Sequence, residues 1–485
     1  MTKTNMQEYT LNNFWGGMAD SIREQSGAKF EVAKHFDIFS DPKRLIPYKT
    51  VAANNSGLVT GNQSANFIVE ETAAYALGRN SSTDVSKIFA NTGASYAWEA
   101  MTTAEATSAN QARPTKLFIK YKSVIYVKRG NFIWSYTLAT NTFNESERAT
   151  DTGSAVAYTN GIIGKANGYL YIPVNNVLHV FDGSNWSTAP LTIPSDEYII
   201  GLANYGSYLA VLTSKSYIYI WDFVKTLADE IVELEDGSYS VLGSIGGILV
   251  AVGQKTTPVG SEMVMSQWAG GTPEVFFRKI LPSTVSIVQG VCRQKYGKMF
   301  FAVNDITTGR PYQGIWAVGR RKAGYPFAVT IAFDYLENGG TASNISNFDL
   351  DTSDIFISTE DYLVHKISGS TYATVNPISY IETTKFIAGQ EAKPMVVSMN
   401  YAPLPAAGVV KLYYRKDAET SWTLIFTDST DNSLGHVSDI VEGSTTYPLP
   451  DFAEIQFRME SLGGAEITEF KFKAKENRTM YSVEK

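Results

Sequence analysis

The chain has 485 residues, of which 13% are aromatic, and a net charge of −7. That charge, with no long Lys/Arg run, excludes a surface built to neutralise nucleic-acid phosphates. One cysteine excludes an internal disulfide, and no stretch approaches the roughly 20 apolar residues that a membrane span needs.

In chain order, residues 1–30 are polar and punctuated by glycine. Such a segment buries too little to fold alone, so an extended N-terminal arm is expected, with Phe14 and Trp15 as candidate subunit-contact residues. It has neither the positive start nor the apolar stretch of a signal peptide, which predicts synthesis in a cytoplasm. Residues 31–376 are expected to form a β-propeller. An apolar run, a short polar break and a second aromatic-rich run recur about seven times between residues 70 and 370. Their spacing of roughly 40–55 residues is the period of propeller blades. The pairs lie around Tyr75 and at 124–136, 169–181, 208–221, 248–268, 299–318 and 355–367. A ring of about seven antiparallel sheets follows, and merging or splitting one repeat would make it six or eight. Part of residues 30–50, an extended run broken by Asp41-Pro42 and Pro47, is expected to complete the last blade and so remove an open edge. Val224, Leu227, Ile231 and Leu234 have helical spacing, which a short helix or an excursion of strands satisfies equally.

The residues that could carry chemistry are sparse. His35, His179, His365 and His436 stand singly, so neither a zinc centre nor any other cofactor is expected. Cys292, flanked by valines, reads as a buried thiol. Asp349, Asp351, Ser353 and Glu360 echo a calcium loop, but Asp354 stands where that loop needs Gly, which favours a solvated connection. The FDGSNW run at 181–186 is a partial Asp-box and primarily a turn signal. Arg320, Arg321 and Lys322 form the one local basic cluster and read as a solvated turn. Loops at 253–262 and 304–313 are the candidate contact loops, with Trp268, Tyr312 and Trp316 as candidate ligand-contact aromatics.

Residues 377–485 change pattern. Ile455, Phe457 and Met459 alternate with Gln456, Arg458 and Glu460, and Phe470 and Phe472 alternate with Lys471 and Lys473. Six strands with one wet face each predict a β-sandwich.

Two stretches together carry a resemblance. NNFWGGMADS at 12–21 with HFDIFSDPKRLIPY at 35–48 resembles the start of propeller proteins among the virion genes of tailed bacteriophages. The end is similar as well, in YIETTKF at 380–386, VVKLYYRKD at 409–417, SWTLIF at 421–426 and AEIQFRMES at 453–461. The resemblance implies a non-enzymatic structural subunit of the virion, in the tail, tail tip or neck. Its partners would be other virion proteins and copies of itself, with no direct nucleic-acid contact. Two other classes compete: a module binding a host glycan or receptor through the propeller rim or the sandwich, and a glycosidase, for which no acid/base pair is visible.

Overall fold

The computed structural model describes residues 6–19, 29–41, 43–48, 54–55, 62–70, 73–80, 86–91, 99–100, 118–129, 132–149, 164–307, 310–334, 343–350, 354–359, 364–368, 378–430, 435–437 and 449–476. Every regular element among them is a strand. The chain divides into two compact units, one formed by residues 53–316 and 339–368, the other by 1–52, 317–338 and 369–485.

The first unit is a β-propeller. Successive four-stranded antiparallel sheets make blades 1 to 5, with innermost strands Asn62–Glu70, Phe118–Tyr121, Gly164–Ala166, Ile199–Tyr205 and Ser238–Ile245. Blade 6 opens with Val285–Lys295 and Lys298–Asp305, and blade 7 with Ile345–Leu350. The innermost strands of blades 4, 5, 6, 7, 1 and 2 adjoin one another in that order, which closes the ring between blades 7 and 1. All seven strand pairs expected from the sequence are the second and third strands of their blades, as in Tyr208–Thr213 with Tyr217–Trp221. In blade 4 these strands are apolar because both of their faces are covered; Leu209, Val211, Ile218 and Ile220 are all buried.

Polar side chains fasten neighbouring blades. Gln254 of blade 5 donates Nε2 to Val285 O (2.9 Å) and accepts Ile287 N (3.2 Å) from blade 6. Asn304 of blade 6 repeats this on Ile345 of blade 7, at 2.9 and 2.7 Å. A side-chain amide can satisfy one N–H and one C=O at once, so it closes a gap that would otherwise leave backbone groups unpaired. Arg293 adds an ion pair to Asp349 at 2.9 Å.

One expectation changes and one open alternative closes. Blade 7 is completed by Asn54–Asn55, which pairs with Lys366 and His365, and not by residues 30–50. Phe30–Lys34 instead lies inside the second unit, antiparallel to Ser379–Thr383 and parallel to Ala328–Phe333 at Lys34 and Ile331. Its burial explains the choice: Phe30, Val32, Ala33 and Lys34 are buried on both faces, which suits the middle of a sheet rather than a closing edge. Of the two readings left open at 224–234, the excursion of strands holds: a connection is followed by the strand Glu230–Glu233. Asp222 Oδ1 accepts the amides of Val224 and Lys225, and Phe223 adopts φ 70°, which turns the backbone before a helical turn can form.

The second unit gathers three separate pieces of chain. Its sheet runs in the order Met6–Leu11, Ile467–Glu476, Phe386–Tyr401, Phe452–Leu462, Ser379–Thr383, Phe30–Lys34, Ala328–Phe333. Phe386–Tyr401 pairs with Phe452–Leu462 through its first half and with Ile467–Glu476 through its second, over a core of Phe386, Phe452, Phe457, Phe470 and Phe472. The expected free arm is therefore in part a strand: Tyr9 packs edge-on to Phe386 at 4.5 Å, and Glu8 pairs with Lys471 and Lys473. Residues of the expected arm and of the expected propeller thus share a unit with the expected sandwich.

A buried ion pair, Lys34 Nζ to Asp334 at 2.6 Å, lies in this unit. Beside it His35 is fully buried at φ 62°, and its pKa is lowered to about 3 by burial first, then by the Lys34 charge, against an opposing pull from Asp334. The folded state therefore keeps His35 neutral while the unfolded chain takes up its proton near pH 6.5. The unfolded state binds more protons below that pH, so stability is full above it and falls as pH drops from 6.5 towards 3. Urea unfolding between pH 7 and pH 5 should show this unit losing up to about 1.4 kcal/mol per pH unit below about 6.5. His35→Asn, which tolerates the positive φ, should remove that slope; a slope that survives would locate the titration elsewhere.

Candidate functional site

Two of the three aromatic residues singled out in the sequence turn out to be blade filling. Trp316 is fully buried and donates Nε1 to Tyr312 O at 2.9 Å. Trp268 is 3% exposed, donates Nε1 to Gly271 O at 2.8 Å and packs on Tyr205 at 5.1 Å. Trp221 does the same with Lys225 O, so an indole tied to its own turn recurs in three blades. Stacking on a sugar needs an open ring face, which Trp268 and Trp316 do not offer. Tyr312 is half-buried, its amide donating to Asp305 Oδ2 and its ring 5.8 Å from Lys279 Nζ. The 253–262 segment is mostly two paired strands, Ile248–Thr257 and Gly260–Trp268, joined at Pro258-Val259. In the 304–313 segment, buried Asp305 accepts the amide and hydroxyl of Thr307 and the amide of Tyr312, which fixes the connection from within.

Phe14 is fully buried, whereas Trp15 is half-buried and meets the Tyr325 ring edge-on at 6.1 Å. Asp182 Oδ1 accepts the amides of Ser184 and Asn185 at 2.7 Å each, and these bonds hold its carboxyl below the ordinary 3.8. Asp222 makes the same turn one blade later, so Asp182 is a turn residue rather than part of an Asp-box site. Asp349 accepts Arg293 Nε and the Leu350 amide; Asp351, Ser353 and Glu360 of the calcium spacing lie outside the described residues. His179 is buried, and the side chains of His365 and His436 also lie outside them. Among the described residues no three His, Cys, Asp or Glu side chains converge as metal ligands.

A polar cleft of about 240 Å³ opens on the second unit between Lys385, Arg415, Asp417, Glu419, Glu454 and Gln456. No local pattern signals it, because its residues come from two strands, a turn and the connection before Phe386. Arg415 donates Nε and Nη2 to Gln456 Oε1 at 2.8 and 2.6 Å and lies 4.3 Å from the Trp422 ring. Lys385 pairs with Glu454 at 2.6 Å. Asp417 Oδ1 accepts the amides of Ala453 and Glu454, and those bonds lower its pKa. Gln456 Nε2 donates onward to Glu31 and to Thr383 O. Each of these groups is engaged by a neighbour, so the cleft is a rigid, internally satisfied polar surface.

Two further surfaces are exposed. On blade 4, Val224, Leu227 and Ile231 are 76, 70 and 56% exposed beside the exposed carboxylates Glu230, Glu233 and Asp236. On the second unit, the turn after Gly314–Gly319 places Arg320 5.4 Å from the Phe327 ring, and Arg321 and Lys322 at 5.9 and 5.7 Å from the Tyr325 ring.

No protein-family model matches the sequence, and no curated protein sequence matches it. Among solved structures, the chain is similar to a catalytically inactive virginiamycin B lyase from Staphylococcus aureus with quinupristin, at 10% identity and a TM-score of 0.46 over 65% of this chain and 98% of that one. It is also similar to YCF48 bound to D1 peptide, at 11% identity and 0.43 over 66% and 97%. A third is the computationally designed Ika8 protein, at 8% and 0.42 over 66% and 99%. These likenesses concern the course of the chain, and no activity passes from those proteins to this one.

Cys292 packs where blade 5 meets blade 6: a Cβ added at Gly243 would lie 3.3 Å from its sulfur. Burial pushes its thiol up to about 12, against a smaller opposing pull from Arg293. The side chain is half-buried, and reaction needs the thiolate, which the raised pKa keeps scarce at neutral pH. Thiol titration of the native protein at pH 8 should therefore find Cys292 unreactive, with one equivalent appearing on denaturation. Rapid native labelling would show the blade interface to be open.

Proposed function

We propose that this chain is a non-enzymatic structural subunit of a tailed-bacteriophage virion, held in the tail, tail tip or neck among other virion proteins and copies of itself. What supports the reading is the meeting, in one compact unit, of the distant segments that carry the sequence resemblance. Residues 12–19 lie against Val329 and Phe30 through the Met18 and Ala19 amides, at 2.9 and 2.8 Å. The 35–48 stretch is tied to the chain's end by reciprocal bonds between Leu45 and Ile467, and Ser379 donates to His35 O. The two ends therefore act as one structural module attached in sequence to both sides of a propeller. A rigid module and a rigid ring lose little entropy on docking, which is the physical requirement on a subunit that must assemble repeatedly.

The host-surface alternative loses two of its three aromatic candidates to burial, since Trp268 and Trp316 fill blades. The glycosidase alternative lacks an assembled carboxylate pair within the cleft, where Asp417 and Glu454 are occupied by backbone amides and Lys385.

The test is the protein content of purified particles of the phage that carries the gene. Mass spectrometry should find the chain in fixed, multiple copies, and an antibody to it should mark a single locus on the tail or neck by electron microscopy. Particles that are infectious without it would end the reading.

A further inference from the structure

Two surfaces carry charge that the fold itself leaves unspent. The first is the outer edge of blade 4. Its last strand, Glu230–Glu233, pairs with Tyr217–Trp221 on one side and ends the sheet on the other. Glu230, Glu233 and Asp236 are exposed there, and among the described residues none of them forms an ion pair. The nearby Lys225 is no counterweight, because it is shared between Asp222 and Asp229, whose hydrogen bonds raise its pKa. Val224, Leu227 and Ile231 add three of the exposed large apolar side chains among the described residues, all within eight positions. An open strand edge beside clustered apolar side chains is a surface that natural proteins ordinarily cover.

The second surface is the 320–322 turn. Arg321 and Lys322 are exposed and Arg320 half-exposed, and among the described residues none of the three meets a carboxylate. They are held instead by rings: Phe327 under Arg320, and Tyr325 under Arg321 and Lys322. Trp15, edge-on to Tyr325, backs this platform. The cations are positioned and desolvated on one side, yet their charge is unneutralised.

Three unpaired cations and three unpaired carboxylates are complementary. Neither patch can pair with its own copy, because that would set like charges face to face. We propose that the two patches meet between copies of this chain, with the 320–322 turn of one copy lying along the 230–236 edge of the next and covering Val224, Leu227 and Ile231. Two different patches meeting make a head-to-tail contact, which generates a ring when the rotation closes and a filament when it does not. The inference rests on the structural-subunit reading only in expecting copies to meet.

Light scattering on the purified full-length chain tests it with no particle present, so its failure is separate from absence of the chain from virions. At low salt the mass should rise with protein concentration, and it should return to that of one chain near ~1 M salt, where charges are screened within about 3 Å. Arg320→Glu/Arg321→Glu/Lys322→Glu should weaken association at least about tenfold, as should Glu230→Lys/Glu233→Lys/Asp236→Lys. Both triple variants replace exposed side chains, and matching circular dichroism and unfolding midpoints would confirm that they fold. Mixing the two variants is the deciding step. Each turn then faces an edge of opposite charge on the other variant, so association should return in the mixture although neither variant associates alone. A chain that stays single at every concentration and salt, association that survives the substitutions, or a mixture that does not recover would each overturn the proposal.

Discussion

The second unit depends on one strand being held in the interior of a sheet. Phe30–Lys34 has the 379–383 strand on one side and the 328–333 strand on the other, so pieces of chain some 300 residues away are joined through five residues. Burying Lys34 would be costly alone, and Asp334 offsets the cost by placing a carboxylate at 2.6 Å. A buried pair of this kind adds little net stability over an apolar substitute, but it tolerates few alternatives. Lys34 finds its carboxylate only when the 328–334 segment enters beside it, which makes the pair a device of registry more than of strength.

The propeller meets a different constraint, that of seven wedges which must fit without gaps. Its solution repeats from blade to blade: an indole tied to its own turn, an aspartate folding a connection around its carboxylate, and a side-chain amide bridging to the next inner strand. Residues that resemble binding or catalytic groups when read singly, Asp182 and Trp316 among them, are components of that packing. Their chemistry is consumed in holding the ring.

This is also why the sequence revealed the two units unequally. The second and third strands of blades 3 to 6 are largely buried on both faces, so each left an apolar, aromatic-rich run that could be counted. Some innermost and outermost strands are short, as Gly164–Ala166 and Trp186–Thr188 are, and at Glu230–Glu233 the helical intervals of Val224, Leu227 and Ile231 left a short helix and an excursion of strands equally open. The membership of the second unit was hidden for another reason. Nothing local in FEVAK at 30–34 says that its partners lie beyond residue 327, since pairing between distant strands leaves no periodicity within either. The cleft around Arg415 was invisible on the same ground, and the alternation at 455–460 located its strand without locating its neighbours.

The closure of blade 7 by Asn54–Asn55, together with the interior position of Phe30–Lys34, has a consequence for biosynthesis. Both strands leave the ribosome well before their partners at 364–368, 328–333 and 379–383. At about 5–20 residues per second, roughly 300–350 residues of further synthesis separate the early strands from their mates, or on the order of half a minute. For that interval a nascent apolar strand has no place to go. Neither unit can finish folding until those later partners are made, and the chain's yield in a cell will depend on what shields the early strands while they wait.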